Sequence, residues 1–450
     1  MNLNDLERAV NAAKKEAKDG KPTDDELRDR WAGRHPDNLV FGLGGWMRYG
    51  WRAPGVWSPA PEYEVERQIE EVCVAAKPEG IRPTSALIAS VERLARNRRA
   101  VSAELWDADP DILVCGNGAL HIPTRELRSH DPAHYATSGV PYGYDPDARA
   151  PMWERFLNEI IVPVVGEEGA GFLQEYAGYC LTTDVSQEIA LWLCGPPGGG
   201  RSTFIFAMEA MLGERAGTLG LHEISTSQFA LASVPGKTLL TATEQPAGYL
   251  KASHVLNKLI SGDRIRVEEK YKSAYDVYPK AKLLWAMNDL PKVASSYDGL
   301  FRRVKVIRLP EIEKKDPRVK ETIVTEGAGI LMWALDGLAR LKERGRFDVP
   351  EAVRSATQEW KESNDVAALF VAERCDRGED YKVQGDALYS TYSGWCKENG
   401  FTPKNAKNAA EDWERLGFFK TRVKGRSYWH GLRIAPVALI DDAGAREKAG

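Results

Sequence analysis

Cysteine is scarce in this 450-residue chain and nowhere set at metal-ligand spacing: Cys73, Cys115, Cys180, Cys194, Cys375 and Cys396 lie far apart, with no C-x-x-C among them. That argues against a zinc site, and a chain of this length needs no disulfide framework, so the six read as reduced core thiols. Long apolar runs are missing as well. No stretch of ~20 uncharged apolar residues occurs, the length a bilayer span requires. The opening MNLNDLERAV lacks the apolar segment of a signal peptide. The expectation is a cytoplasmic protein with no membrane partner. A strong excess of one charge is also absent, the net being −4 with 28% charged residues. A surface coated all over in nucleic acid is thereby disfavoured, but local basic patches are not, because it is local field that steers a polyanion. There are no internal repeats and no low-complexity tract.

What is present is ample core material, 43% hydrophobic with 13 Trp, in a chain long enough for two to four compact units. Residues 1–30 are charged and helix-prone. Residues 31–57 are rich in Gly, Trp and Arg and suggest short strands and turns. Residues 63–75 and 84–97 read as amphipathic helices. Short β runs with Asp-Pro and Gly-Asn-Gly turn signals follow to about residue 132. Residues 151–163 and 171–181 look helical. The text then changes: apolar runs at 189–194, 238–242 and 282–286, separated by polar helical segments, fit a buried, mainly parallel sheet. Residues 326–343 form a striped helix that GRFDVPEAV breaks. From about 366 to 436 the order is helix, helix, hairpin, with Lys424-Gly425-Arg426 as the turn.

The strongest chemical signal is GPPGGGRST: Gly195, Pro196, Pro197, Gly198, Gly199, Gly200, Arg201, Ser202 and Thr203. It fits G-x-x-x-x-G-K-[ST] everywhere except at the lysine, which here is Arg201. Glycines let the backbone wrap a phosphate with its N–H groups inward, and the helix that follows adds its positive end. Ser202 offers a hydroxyl to Mg2+, and a cation at 201 would reach the β- and γ-phosphates of ATP. A guanidinium is broad and planar where an ammonium is compact. Binding is expected to survive this exchange, and the rate of hydrolysis is the property it puts at stake.

Three further elements have the residue types such a site needs. The apolar run KTLLTAT ends in Glu244, a carboxylate able to hold magnesium through water and to polarise an attacking water. KLLWAMNDL puts Asn288 just past a third strand, where an amide could bond the γ-phosphate. DGLFRR supplies Arg302 and Arg303, either able to act as an arginine finger in a neighbouring subunit. Between them, NKLISGDRIRVEEKYK reads as a helix end, a turn and a rising hairpin arm, with Lys270, Tyr271 and Lys272 near its tip. Cations flanking an aromatic suit a single DNA strand, although a solvated hairpin tip fits the local sequence equally well.

As a set these residues resemble the motor of the phage and plasmid primase-helicases, a superfamily III group of the AAA+ class. The matching positions are the 195–203 loop, Glu244, Lys258 with Gly262-Asp263, Lys270 to Lys272, Asn288 and Arg302-Arg303, with Arg201 as the chief departure. Upstream, W-D-x-D-P at Trp106, then N-G-x-L and a His-Asp-Pro turn resemble the poxvirus-type amino-terminal domain of that family. Asp107, Asp109 and Asp111 then read as turn residues rather than a metal cluster. The carboxy-terminal region resembles a winged helix. Eight Lys/Arg face three acids between residues 401 and 436, a net of +5, which points to Lys404, Lys407, Lys420, Arg422, Lys424 and Arg426 as DNA contacts.

The resemblance implies a multidomain α/β protein: an α+β, ring-building unit over 1–185, an AAA+ core with helical lid over 186–346, a linker over 347–365, a winged-helix unit over 366–436 and a tail over 437–450. It further implies a homo-oligomer, a hexamer by family likeness, driven by ATP and Mg2+ along single-stranded or forked DNA in 3′→5′ direction, in the host cytoplasm if phage-encoded. No metal-binding acidic pair stands ahead of residue 100, so a separate primase or polymerase is the expected partner. The rival expectation is a DNA-binding ring or replication-initiator scaffold that binds ATP and scarcely hydrolyses it. An ordinary small-substrate phosphate-loop kinase is a third, disfavoured by the basic hairpin and tail.

Overall fold

The computed structural model describes residues 20–35, 38–227, 229–245, 253–270, 274–293, 298–311, 318–399 and 401–435. Thr23 opens the first helix, α1 (Asp24–Arg34), with a reciprocal cap: its hydroxyl accepts from the Glu26 N–H, and the Glu26 carboxylate accepts from the Thr23 N–H at 2.7 Å. The Trp-rich text then forms an antiparallel meander of β1 (Leu39–Gly42), β2 (Gly45–Tyr49) and β3 (Trp57–Pro59). Helices α2 (Glu62–Ala75) and α3 (Ser85–Arg98) pack with α1 over Trp31, Trp46, Val65, Ile69 and Val91.

A second meander follows, β4 (Ile112–Cys115), β5 (Gly118–His121) and β6 (Glu126–Arg128). Its approach is the Asp-rich turn. Asp109 accepts from the Asp111 N–H at 2.9 Å, and half-buried Asp107 accepts from the N–H and hydroxyl of Thr137. The described residues contain no grouping of three His, Cys, Asp or Glu able to hold a metal. Helix α4 (Pro151–Phe156), one π-type turn (Leu157–Ile161) and α5 (Val162–Cys180), broken at Gly166, come next.

The centre is a five-stranded, wholly parallel sheet. In chain order its elements are β7 (Ala190–Cys194), α6 (Arg201–Leu212), β8 (Ala216–Thr218), α7 (Leu221–Thr226), β9 (Leu239–Ala242) and α8 (Ser253–Ser261). A small hairpin of β10 (Ile265–Val267) and β11 (Tyr275–Val277) follows, then β12 (Lys282–Met287), α9 (Asp298–Arg303) and β13 (Val304–Arg308). Across the sheet the order is β13-β7-β12-β9-β8. Strand β7 shows why both faces are covered: Leu191 and Leu193 enter one core, while Ala190, Trp192 and Cys194 enter the other. The three apolar runs expected as strands are β7, β9 and β12. Strands β8 and β13 were not anticipated, β8 being three residues long and β13 interrupted by Lys305 and Arg308.

Helix α10 (Arg318–Ile323) leads to α11 (Gly327–Arg344), which lies along α5 with backbones in near contact: a Cβ at Gly337 would sit 2.4 Å from the Gln174 carbonyl, and one at Gly178 2.4 Å from that of Ala334. The core beneath them runs from Leu113 through α5 to Leu341, so the division expected at residue 185 cuts through a shared interior. Residues 347–365 also differ from the expected linker. They hold α12 (Glu351–Glu362), whose Trp360 is buried in the second core beside Trp192 and Phe301.

The last unit has its own core. Helices α13 (Val366–Arg374), α14 (Gly385–Glu398) and α15 (Ala406–Arg415) pack on a sheet of β14 (Cys375–Gln384), β16 (Arg426–Ile434) and β15 (Phe419–Val423), in that order. The hairpin and the last two helices match expectation; α13 and β14 do not appear in it. Strand β14, CDRGEDYKVQ, is a half-charged edge strand with a bulge between Arg377 and Lys382, so it has no alternation to read. No described helix is long and apolar enough to cross a membrane. The tail and residues 1–19 lie outside the described residues.

Buried Lys282 opens β12. Its ammonium donates to the Thr182 carbonyl at 2.6 Å and lies 4.4 Å from the centre of the Tyr179 ring, and burial lowers its pKa to about 7. The unfolded chain, whose lysines titrate near ~10.4, therefore holds this proton where the fold releases it. The Lys282 contribution makes stability rise from pH 7 towards 10. In urea unfolding across that window, the stability of the wild type relative to Lys282→Met is expected to rise with pH. Gly337→Val is expected to lower stability by about 1–3 kcal/mol, through overpacking between α5 and α11; an unchanged thermal melt would contradict that crossing.

Candidate functional site

The polar ends of the parallel strands open into one cleft of about 710 Å³, walled by residues 197–203, Thr243, Glu244 and Asn288 from the sheet side. The buried β7 delivers the chain to Gly195, whose N–H donates to the Met287 carbonyl at 3.2 Å. Gly195 has φ 150°, and a Cβ there would stand 1.9 Å from the Leu309 carbonyl oxygen; one at Gly199 would stand 2.6 Å from that of Pro310. The glycines are thus required because the chain leaving β13 runs against the loop. Helix α6 starts at Arg201 after Gly200, and no side chain caps it. Its free first-turn N–H groups and positive end suit an anion.

Arg201 lines this cleft but is held back against its sheet side. It is 9% exposed, donates from Nη1 to the Met287 carbonyl, and donates from Nη2 to Asn288 Oδ1 at 2.8 Å. Burial lowers its pKa, offset in part by Cys194 and Glu244, and a guanidinium stays charged regardless. It therefore ties the start of α6 to the end of β12 with a buried positive charge.

Glu244 and Asn288 reach the cleft from different strands. Strand β12 lies between β7 and β9, so Asn288 stands beside the loop and Glu244 one strand further away. Glu244 is exposed, as is Ser202 at the start of α6. Behind them, the Thr241 hydroxyl donates to Glu209 at 2.6 Å and links β9 to α6. A phosphate chain lying along the loop would have a hydroxyl and a carboxylate in the same cleft. That donor set fits a hydrated divalent cation.

The far wall was not legible in the sequence. Arg155, Phe156, Glu159 and Ile160 come from α4 and the π-type turn, and Val319 and Lys320 from α10. Arg155 pairs with Glu159 at 2.9 Å, and the Lys320 ammonium lies 3.6 Å from the centre of the Phe206 ring. Only the π-type turn hints at such a role, since irregular turns of this kind often mark functional sites.

Other sequence-predicted residues lie elsewhere. Arg303 pairs with Glu188 at 2.7 Å, whereas the exposed Arg302 lines a wider groove of about 850 Å³ between α9 and α12. That groove is larger but has no glycine-rich backbone, so the smaller cleft is the better phosphate site. Lys258 is exposed on α8, and Lys270 is exposed in the β10–β11 connection. Tyr271 and Lys272 lie outside the described residues. In the last unit Lys404 pairs with Asp412 at 2.7 Å, while Lys407, Lys420, Arg422, Lys424 and Arg426 are exposed.

Residues 27–162 match the family model described as D5 N terminal like, and residues 193–303 match a family of unknown function, DUF5906. A helicase-designated protein, 121R of Invertebrate iridescent virus 3, is 21% identical over 341 residues, covering 65% of this chain and 36% of that protein. The helicase-designated L207/L206 of Acanthamoeba polyphaga mimivirus is 25% identical over 262 residues, covering 51% of this chain and 27% of that protein. The chain thus spans about a third of the length of these relatives. The apo structure of the NrS-1 C terminal region superposes with a TM-score of 0.49 at 9% identity, covering 87% of this chain and 94% of that one.

If the loop holds phosphates through backbone N–H groups, Gly195→Ala is expected to abolish pyrophosphate binding in a calorimetric titration. Ser202→Ala, assayed without divalent metal, is expected to retain it. Equal binding by both variants would place the anion elsewhere.

Proposed function

This chain belongs to the phage and viral primase-helicase family, and from that premise we propose that it is an ATP-driven DNA motor of replication. The observation that carries the proposal is the convergence in one cleft of the 195–203 loop, Glu244 and Asn288, each at the carboxyl end of a buried parallel strand. The loop and the start of α6 bind the phosphates. Ser202 and Glu244 hold magnesium, which when bound neutralises phosphate charge. Glu244 also takes the proton of the attacking water, and Asn288 orients the γ-phosphate. With Arg201 engaged by Asn288, Lys320 is the cation best placed to meet the phosphates from the other wall.

The AAA+ reading is supported by the strand order, with the loop strand inside the sheet and the Asn288 strand between it and the acid. We take the assembly to be a head-to-tail ring, a hexamer by family likeness, in which each cleft is completed by the neighbour. Arg302 is the finger we assign, since it is exposed while Arg303 is anchored to Glu188. Lys258 and the Lys270–Lys272 hairpin track one DNA strand, in the 3′→5′ direction that the family implies. The three helices and three strands of the last unit support the winged-helix reading, with Lys407, Lys420, Arg422, Lys424 and Arg426 on phosphates. A second reading, a ring that binds ATP and scarcely hydrolyses it, is favoured by one observation: the guanidinium that replaces the lysine is engaged by the Met287 carbonyl and Asn288.

Steady-state ATP hydrolysis with and without single-stranded DNA tests both. The motor reading expects DNA-stimulated turnover, abolished by Glu244→Gln and lowered by roughly three orders of magnitude or more in Arg302→Ala, with Lys320→Ala raising KM. Tight ATP binding without turnover, restored by Arg201→Lys, would instead establish the second reading.

A further inference from the structure

The carboxy-terminal hairpin has a face that the charge reading leaves unexplained. Residues 419–434 contain five Lys/Arg and no acid. In the register of β15, β16 and β14, Phe419 stands opposite His430, which stands opposite Lys382; Thr421 stands opposite Tyr428. Directly opposed residues share a face. Trp429 and Val383, one position along, belong to the core, so the Phe419 face is the outer one. There Phe419 stacks on His430 with centroids 4.8 Å apart and planes 5° from parallel, and it remains 58% exposed. The Thr421 hydroxyl lies 2.8 Å from His430 Nε2 and fixes that ring, while the Lys382 ammonium is 5.3 Å from the centre of the Tyr428 ring.

A single exposed aromatic needs no explanation, but this arrangement is more specific. Phe418 turns inward and is buried, so Phe419 adds nothing to that core. Its ring is instead held flat by a partner that a third side chain fixes. On the same face lie the exposed cations Lys382 and Arg426. Oriented aromatic faces on an open antiparallel sheet, whose β15–β16 hairpin carries cations and no acid, match the two needs of an unpaired strand: π-faces for its bases and positive charge for its phosphates. A duplex hides its base faces and would use the charge alone.

We propose that this outer sheet face, centred on Phe419, His430 and Tyr428, is a base-stacking platform for single-stranded nucleic acid. The inference rests on the DNA-binding reading of the last unit and narrows it, giving the sheet face to unpaired bases and leaving the hairpin tip to phosphates. The test is fluorescence anisotropy of the full chain with labelled oligo-dT and with a duplex of equal length. Phe419→Ala is expected to weaken oligo-dT binding roughly tenfold with little effect on duplex, as for loss of one stacked base. Phe419→Trp restores binding, and Lys424→Ala weakens both ligands and flattens their salt dependence. Equal oligo-dT affinity in wild type and Phe419→Ala overturns the platform, while a Lys424→Ala effect keeps the DNA reading. Equal loss on both ligands in Phe419→Ala also overturns it, since the ring would then only shape the hairpin. Absence of binding to either ligand by the wild-type chain overturns both readings together.

Discussion

Burial of the parallel sheet on both faces is the constraint from which the cleft follows. Once Leu191 and Leu193 enter one core and Trp192 and Cys194 the other, no polar side chain can leave the sheet sideways without the cost of burial. Polar chemistry is confined to the strand ends, where the loop after β7, the acid after β9 and the amide after β12 come together. Two chains of backbone then press against each other. The segment leaving β13 passes so close to the loop that Gly195 and Gly199 cannot carry a side chain. The loop conformation is thus held from outside as well as by its own sequence.

Arg201 shows how the same confinement acts on a charge. Its guanidinium bridges the Met287 carbonyl and Asn288 and so cross-links the start of α6 to the strand beside it. A buried ion without a carboxylate partner costs solvation, which hydrogen bonds to a carbonyl and an amide offset only in part. The cation is thereby fixed, and Lys320 brings positive charge from α10, whose place in the fold depends on the chain beyond β13.

The outer parts of the molecule are more closely joined to this centre than their sequences suggest. The second meander and α5 share a core with α6 and α11, and Trp360 of α12 fills space beneath β7. The last unit is different, with a core of its own and its basic hairpin turned outward. The two faces of its sheet differ: Trp429 packs inward and Phe419 stands outward in solvent.

The sequence by itself determined what is local. The glycine spacing of the 195–203 loop, the apolar runs of β7, β9 and β12, the acid and amide that end two of them, and the alternation of the β15–β16 hairpin are all set within a few residues. Helix α11 was legible for the same reason, its apolar stripe recurring at helical spacing. Tertiary structure alone decided what lies across the gap. Arg155, Phe156, Glu159, Ile160 and Lys320 come from segments far from the loop in sequence and meet it only through packing of α4 and α10. It decided that Arg201 bonds the end of β12, since side-chain direction depends on the carbonyl and amide it finds. It also decided that residues 347–365 join the second core: α12 has few apolar positions, and Trp360 is buried because Trp192 and Phe301 wait for it. Short-range periodicity fixes elements and loop chemistry, whereas contacts between distant segments depend on how faces pack, which no local pattern records.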